Sequence, residues 1–104
     1  MRWTISHGTR EGGPYYCSYH SMNTLARHLA HVLPAKDWRR IHRLFRRPAG
    51  LPVGVHHVEA SYIADILYKA ANHRLMPDTS AAVAHDLADT AGRAAGTIEP
   101  WTWT

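Results

Sequence analysis

The chain has 104 residues, 45% of them hydrophobic and 19% charged, which suits one globular domain spanning 1–104 and excludes a disordered chain. Its one cysteine, Cys17, excludes an internal disulfide and any CxxC motif, and no apolar run approaches the ~18 residues of a membrane span. The net charge of +4 points toward an anionic partner, and with no signal-peptide apolar stretch at the N-terminus a soluble cytoplasmic protein, away from membranes, is the expectation.

Met1, Trp3 and Ile5 alternate with Arg2, Thr4 and Ser6, the period-two pattern of a half-buried strand. His7 to Pro14 holds three glycines and a proline and reads as a loop. Ser21 is placed to cap a helix that runs to about Leu33, where Pro34 stops it. A second helix is expected from about Lys36 to Arg46, ending before Pro48-Ala49-Gly50. Leu51, Val53 and Val55 alternate despite Pro52 and Gly54, which suits a short edge strand. A third helix is expected from about Glu59 to His73, and a fourth from a Thr79 or Ser80 cap to about Ala95, with Gly96 as its stop. Trp101 and Trp103 alternate with Thr102 and Thr104 in a closing strand. The order β-αα-β-αα-β predicts an α/β or α+β domain. A small sheet made from the N- and C-terminal strands, with a possible third edge strand, packs on two helical hairpins, and the indoles lie on the helix-covered face. Leu25-Ala26-x-x-Leu29 and Ile63-Ala64-x-x-Leu67 form a weak internal repeat, 38 residues apart.

Trp3-x-Ile5-Ser6-His7-Gly8, the Leu33-Pro34 break before Trp38-Arg39, the Met76-Pro77 break and Glu99-Pro100-Trp101-x-Trp103 together resemble a family of small uncharacterised actinobacterial (Streptomyces-type) proteins of about this length. The resemblance covers nearly the whole chain. It implies the domain boundaries and a bacterial cytoplasmic origin, and it carries no activity.

Charge divides unevenly. Residues 1–53 carry nine basic groups against two acids, and residues 54–104 carry three against six. At about 100° per residue, Trp38, Ile41, Leu44 and Phe45 share one face of the second helix. Arg39, Arg40, Arg43, Arg46 and Arg47 share an opposite arc of about 120°. Like charges at i, i+3 and i+4 repel, and the helix's one acid, Asp37, sits at the N-terminal end favoured by the dipole. Such a face suits a polyanion, and arginine suits bidentate contact with phosphate. It equally suits a solubilising face in an arginine-biased proteome, or one neutralised by Asp86 and Asp89 of the fourth helix.

Nine histidines raise the question of a metal. Cys17-x2-His20-x7-His28-x2-His31 is a poor match to a four-ligand zinc spacing, since only one cysteine is present and the gap between pairs is short. His56 and His57, in an extended segment, would face opposite ways. No structural metal and no cofactor are expected. His7, Arg10, Cys17 and His20 bracket the N-terminal loop and offer a Cys/His nucleophile arrangement, against a reading of Cys17 as a small buried hydrophobe. Tyr15, Tyr16 and Tyr19 suit either base stacking beside a basic surface or cover for the sheet edge.

The function expected is a small binding or regulatory protein that engages an anionic partner, nucleic acid first and an acidic protein otherwise, through the basic helix. The alternative is a protein-interaction module, including a homodimer in which the basic half of one copy meets the acidic half of another. A small enzyme is the third reading.

Overall fold

The computed structural model describes residues 2–6, 15–46 and 52–104. Four strands and four helices follow in the order β1 (Arg2–Ser6), β2 (Tyr15–Ser18), α1 (Tyr19–Val32), α2 (Ala35–Phe45), β3 (Val53–Val55), α3 (His57–Ala71), α4 (Asp78–Thr97) and β4 (Trp101–Trp103). The strands make one antiparallel sheet in the order β2-β1-β4-β3, so the fold is α+β. The two ends of the chain pair as their alternation requires, Ile5 opposite Trp103 and Ser6 opposite Thr102, and β3 occupies one edge.

Alternation sorts the strand side chains onto two faces. Trp3, Ile5, Cys17, Val55, Trp101 and Trp103 are buried on the face that meets the helices. Arg2, Thr4, Ser6, Tyr16, Ser18 and Thr102 point the other way, where Ser6 Oγ and Thr102 Oγ1 lie 2.9 Å apart and the Arg2 guanidinium sits 4.1 Å from the centre of the Tyr16 ring. The three buried indoles meet edge to face, Trp3 with Trp103 at 5.8 Å and Trp101 with Trp103 at 5.4 Å between centroids, the geometry that aromatic quadrupoles favour. Above them α4 crosses β1, β2 and β4, and its Ala84, Ala88, Ala91 and Ala94 are fully buried. Small side chains there let the helix approach the indoles and α3 closely. Both halves of the internal repeat supply core residues, Leu25 and Leu29 from α1 and Ile63, Ala64 and Leu67 from α3.

Several boundaries differ from expectation. Tyr15–Ser18 is a fourth strand on the far edge of the sheet, paired with β1 from Arg2↔Ser18 to Ile5↔Tyr15. It runs straight into α1, so Ser18 and not Ser21 is the cap: its Oγ accepts the Ser21 N–H at 3.1 Å. At α3 the His56 side chain takes the capping role and accepts from Val58 N–H. At α4 Pro77 precedes the first turn without a side-chain cap. Ser80, a candidate cap by sequence, is instead buried and bonded to His28 on α1. The helix runs past Gly96 to Thr97 and stops at Ile98, which adopts the left-handed conformation at φ 57°, ψ 42°, while Glu99 N–H donates to Ala94 C=O at 3.0 Å. The Leu33-Pro34 break falls where the sequence places it, between α1 and α2.

Candidate nucleic-acid interface

Helix α2 buries Ile41 and Leu44 and rests Phe45 edge-on against Trp103, 5.5 Å between ring centres. That seating fixes the rotation of the helix and therefore the direction of its arginines. Two ion pairs then bind it to α3: Asp37 receives Lys69 Nζ at 3.3 Å, and Glu59 takes Arg40 in a two-pronged contact, Nε at 3.0 Å and the terminal nitrogen at 3.1 Å. The Arg40 guanidinium also lies over the Tyr62 ring at 4.5 Å.

Arg40 is thus committed to its own fold, although it belongs to the predicted arc. Arg39, Arg43 and Arg46 are exposed, and no ion pair among the described residues involves them. Arg47, the fifth member, lies outside the described residues. Among the described residues, the acids paired with or on this helix are its own Asp37, held by Lys69, and Glu59 of α3. Asp89, which the sequence suggested as a neutralising partner, instead accepts from the Tyr68 hydroxyl and lies 3.4 Å from His85 Nδ1. Lys36, exposed in the first turn, shares the arc of Arg39 and Arg43 through i, i+3 and i+7 spacing. It was legible as part of the basic face, since it precedes Arg39 by three residues.

Two depressions flank this arc. One, of about 550 Å³, lies between α2 and β3 and is lined by Arg43, Leu44, Val53, Gly54, Val55, His56 and Glu59. The other is a groove of about 620 Å³ between α1 and α2, where Ala26 and Ala30 leave room beside Trp38 and Phe45, and Asn23, His20, Arg27 and Arg46 stand around it. The tyrosines divide. Tyr15 and Tyr19 pack against the core, Tyr19 edge-on to Trp3 at 5.4 Å, while Tyr16 is half exposed on the outer face of the sheet under Arg2.

The Cys/His arrangement is only partly described, since His7 and Arg10 lie outside the described residues. Cys17 is 6% exposed, and burial pushes its thiol pKa up against the opposing pull of a Tyr15 hydrogen bond, with the charge of Asp86 adding a smaller rise, opposite to the direction that activates a thiolate nucleophile. Burial likewise raises the Tyr15 hydroxyl. The suggested zinc spacing is not assembled: Cys17 is in the core, His20 and His31 are exposed, and His28 Nδ1 lies 2.6 Å from Ser80 Oγ. His56 and His57 do not face opposite ways, because the chain turns from extended to helical between them, and their rings lie 4.3 Å apart. Among the described residues, His85, Asp86 and Asp89 on α4 bring three donor atoms within 4.8 Å of one another, with His85 Nδ1 and Asp89 Oδ2 at 3.4 Å. Their i, i+1, i+4 spacing was visible in the sequence, but so short a pattern is common on solvated helix faces.

Comparison with known proteins adds a family and no activity. The model of a domain of unknown function, DUF7739, matches residues 8–104, and the chain belongs to that family. Neither a curated protein nor a solved structure matches it.

Proposed function

We propose that this DUF7739 protein binds nucleic acid through the exposed arc of α2, with Arg39, Arg43 and Arg46 as its phosphate contacts and Lys36 beside them. One observation supports the reading above the others. Among the described residues, the acids paired at α2 are Asp37, held by Lys69, and Glu59, held by Arg40, while Lys36, Arg39, Arg43 and Arg46 are exposed. A solubilising face mixes signs, and a face with its acids drawn aside carries an unrelieved positive potential. Guanidinium groups match phosphate in shape as well as charge. Arg47 adds to the same arc by sequence. The arginine bias fits an actinobacterial setting, and nucleic acid is the abundant polyanion of a bacterial cytoplasm.

The test is fluorescence anisotropy with labelled duplex DNA, single-stranded DNA and RNA over a salt series. Four phosphate contacts predict that log affinity for duplex falls with log salt at a slope of roughly −3 to −4. Arg39→Gln, Arg43→Gln and Arg46→Gln together reduce that slope by nearly 3 and leave the fold intact, since exposed substitutions move stability by about half a kcal/mol or less each. Absence of binding to all three probes at low salt, or a triple variant with wild-type affinity, overturns the reading and favours the interaction module, whose association would depend weakly on salt.

A further inference from the structure

The groove between α1 and α2 combines aromatic side chains with cations from both helices. Trp38 and Phe45 are half buried and lie at a shallow 28° to each other, 6.3 Å between centres. Trp103 braces Phe45 from below, so the floor is held in place by the core. Arg27 stands on the α1 wall, with Asn23 one turn before it on the same helix offering an amide donor and acceptor, and Arg46 stands at the end of α2; among the described residues no acidic side chain lines the space. A volume of about 620 Å³ falls in the range of small-ligand sites. An aromatic-lined groove with cations at its rim and one polar amide is complementary to a planar, hydrogen-bonding group flanked by negative charge.

We infer that this groove takes an unpaired nucleobase against Trp38 and Phe45, with the phosphates on either side of it met by Arg27 and Arg46. The inference rests on the nucleic-acid reading of α2 and extends it, because Arg46 belongs to both surfaces. A strand lying on the arc of Arg39 and Arg43 has its phosphates there and turns one base into the groove. A base inside a duplex is stacked on both faces and cannot enter, so the protein prefers single strands. Ala26 and Ala30 make the space, and a larger residue at either position fills it.

The experiment compares oligothymidylate, oligouridylate and an abasic strand of the same length, all with equal phosphate number, against the full-length protein at fixed salt. Oligothymidylate binds about 5- to 100-fold more tightly than the abasic strand, the range that stacking of one base on an aromatic side chain supplies, and it quenches tryptophan fluorescence. The quench disappears in Trp38→Phe, which keeps the packing, and the preference over the abasic strand collapses toward one in Ala26→Leu. Oligouridylate likewise binds more tightly than the abasic strand and quenches, because stacking needs only the π-face of the base.

Equal affinity for oligothymidylate and the abasic strand, or a quench that persists in Trp38→Phe, overturns the groove while leaving the arginine arc standing. Oligothymidylate that binds and quenches with no loss in Arg39→Gln/Arg43→Gln overturns the arc and keeps the groove. No binding of any strand at low salt overturns both.

Discussion

The indole N–H of Trp101 donates to Thr90 Oγ1 at 3.0 Å, and the Thr90 hydroxyl in turn donates to the Leu87 carbonyl at 2.8 Å. Both side chains are essentially fully buried. The Thr90 proton is committed to the backbone of α4, so its lone pair is what fixes the indole, and a two-bond relay thereby registers β4 against the helix that covers it. Trp103, two residues on, is as deeply buried, yet its Nε1 has no hydrogen-bond partner among the described residues.

The two tryptophans therefore respond differently to one substitution. Trp101→Phe and Trp103→Phe each remove part of an indole from the same core, but only the first removes a hydrogen bond, and the second eliminates a donor already without one. Urea denaturation should show Trp101→Phe as more destabilising by about 1 kcal/mol. Thr90→Val, nearly the same shape, should cost about 1–3 kcal/mol by stranding the Trp101 N–H. The double variant should cost less than the sum, because the two residues share one interaction. Equal costs for the two tryptophan substitutions would contradict the relay.

The end of α4 gives a second prediction. Gly96 has the sequence look of a helix stop but lies inside the helix, and a Cβ built on it meets nothing within 4 Å. Gly96→Ala should accordingly stabilise the protein by up to about 1 kcal/mol through helix propensity, whereas a glycine holding a left-handed turn would make the same change destabilising. The left-handed residue is Ile98, 70% exposed. Its branched Cβ opposes that conformation, by about 1–2 kcal/mol for an ordinary side chain. Ile98→Gly relieves this, and part of the gain is lost to the greater freedom of glycine in the unfolded chain. A higher midpoint in thermal melts for both variants is the expected outcome, and a lower one for Gly96→Ala would place the helix stop two residues earlier.

These differences show what was legible and what was not. The terminal strands were readable because Trp3 and Ile5 on β1 and Trp101 and Trp103 on β4 alternate with polar residues. Strand β2 escaped because Tyr15-Tyr16-Cys17-Ser18 offers a single short alternation and passes into α1 with no breaker. Ser18 ends the strand and caps the helix at once, which hid both boundaries. On α2 the arc of cations followed from 3.6-residue geometry alone. The withdrawal of Arg40 did not, because Glu59 is 19 positions away and reaches it only once α3 is packed alongside. The groove beside Trp38 was invisible for the same reason, since Arg27 and Asn23 belong to a different helix.

Alkaline titration tests the contact between α3 and α4. Tyr68 donates its hydroxyl proton to Asp89, and that bond first, with burial second, pushes its pKa up to about 12 from the ordinary 10.0. Since the folded-state value is the higher one, the stabilisation is fully present below pH 10 and is lost as pH rises through about 12. Ultraviolet titration of tyrosinate should show a late component that Tyr68→Phe removes, and melts of that variant should lose less stability between pH 10 and 12 than the wild type. Tyr15, raised by burial, leaves some alkaline loss in both proteins. A Tyr68→Phe variant with the wild-type alkaline profile would show that the hydroxyl does not hold this contact in solution.

The pairing of Arg40 with Glu59 yields a prediction whose sign is unusual for a binding surface. Arg40 contributes its charge to the arc but directs its donors to Glu59 and rests on Tyr62, so Arg40→Gln should leave the salt dependence of nucleic-acid binding nearly unchanged. Arg43→Gln, one turn further on and in no ion pair among the described residues, should reduce the slope by about 0.9. Glu59→Gln removes an acid from beside the arc and releases Arg40 in the same step. If phosphates are the partner, this variant binds duplex DNA more tightly than wild type at low salt, and its slope steepens by about 0.9 because one more counterion is displaced. The side chain of Glu59 is 29% exposed, so its neutral isostere is accommodated without loss of the fold, which far-ultraviolet circular dichroism checks. Weaker binding by Glu59→Gln would mean that the Arg40–Glu59 pair itself forms part of the recognised surface, as it would for a protein partner that reads both signs of charge.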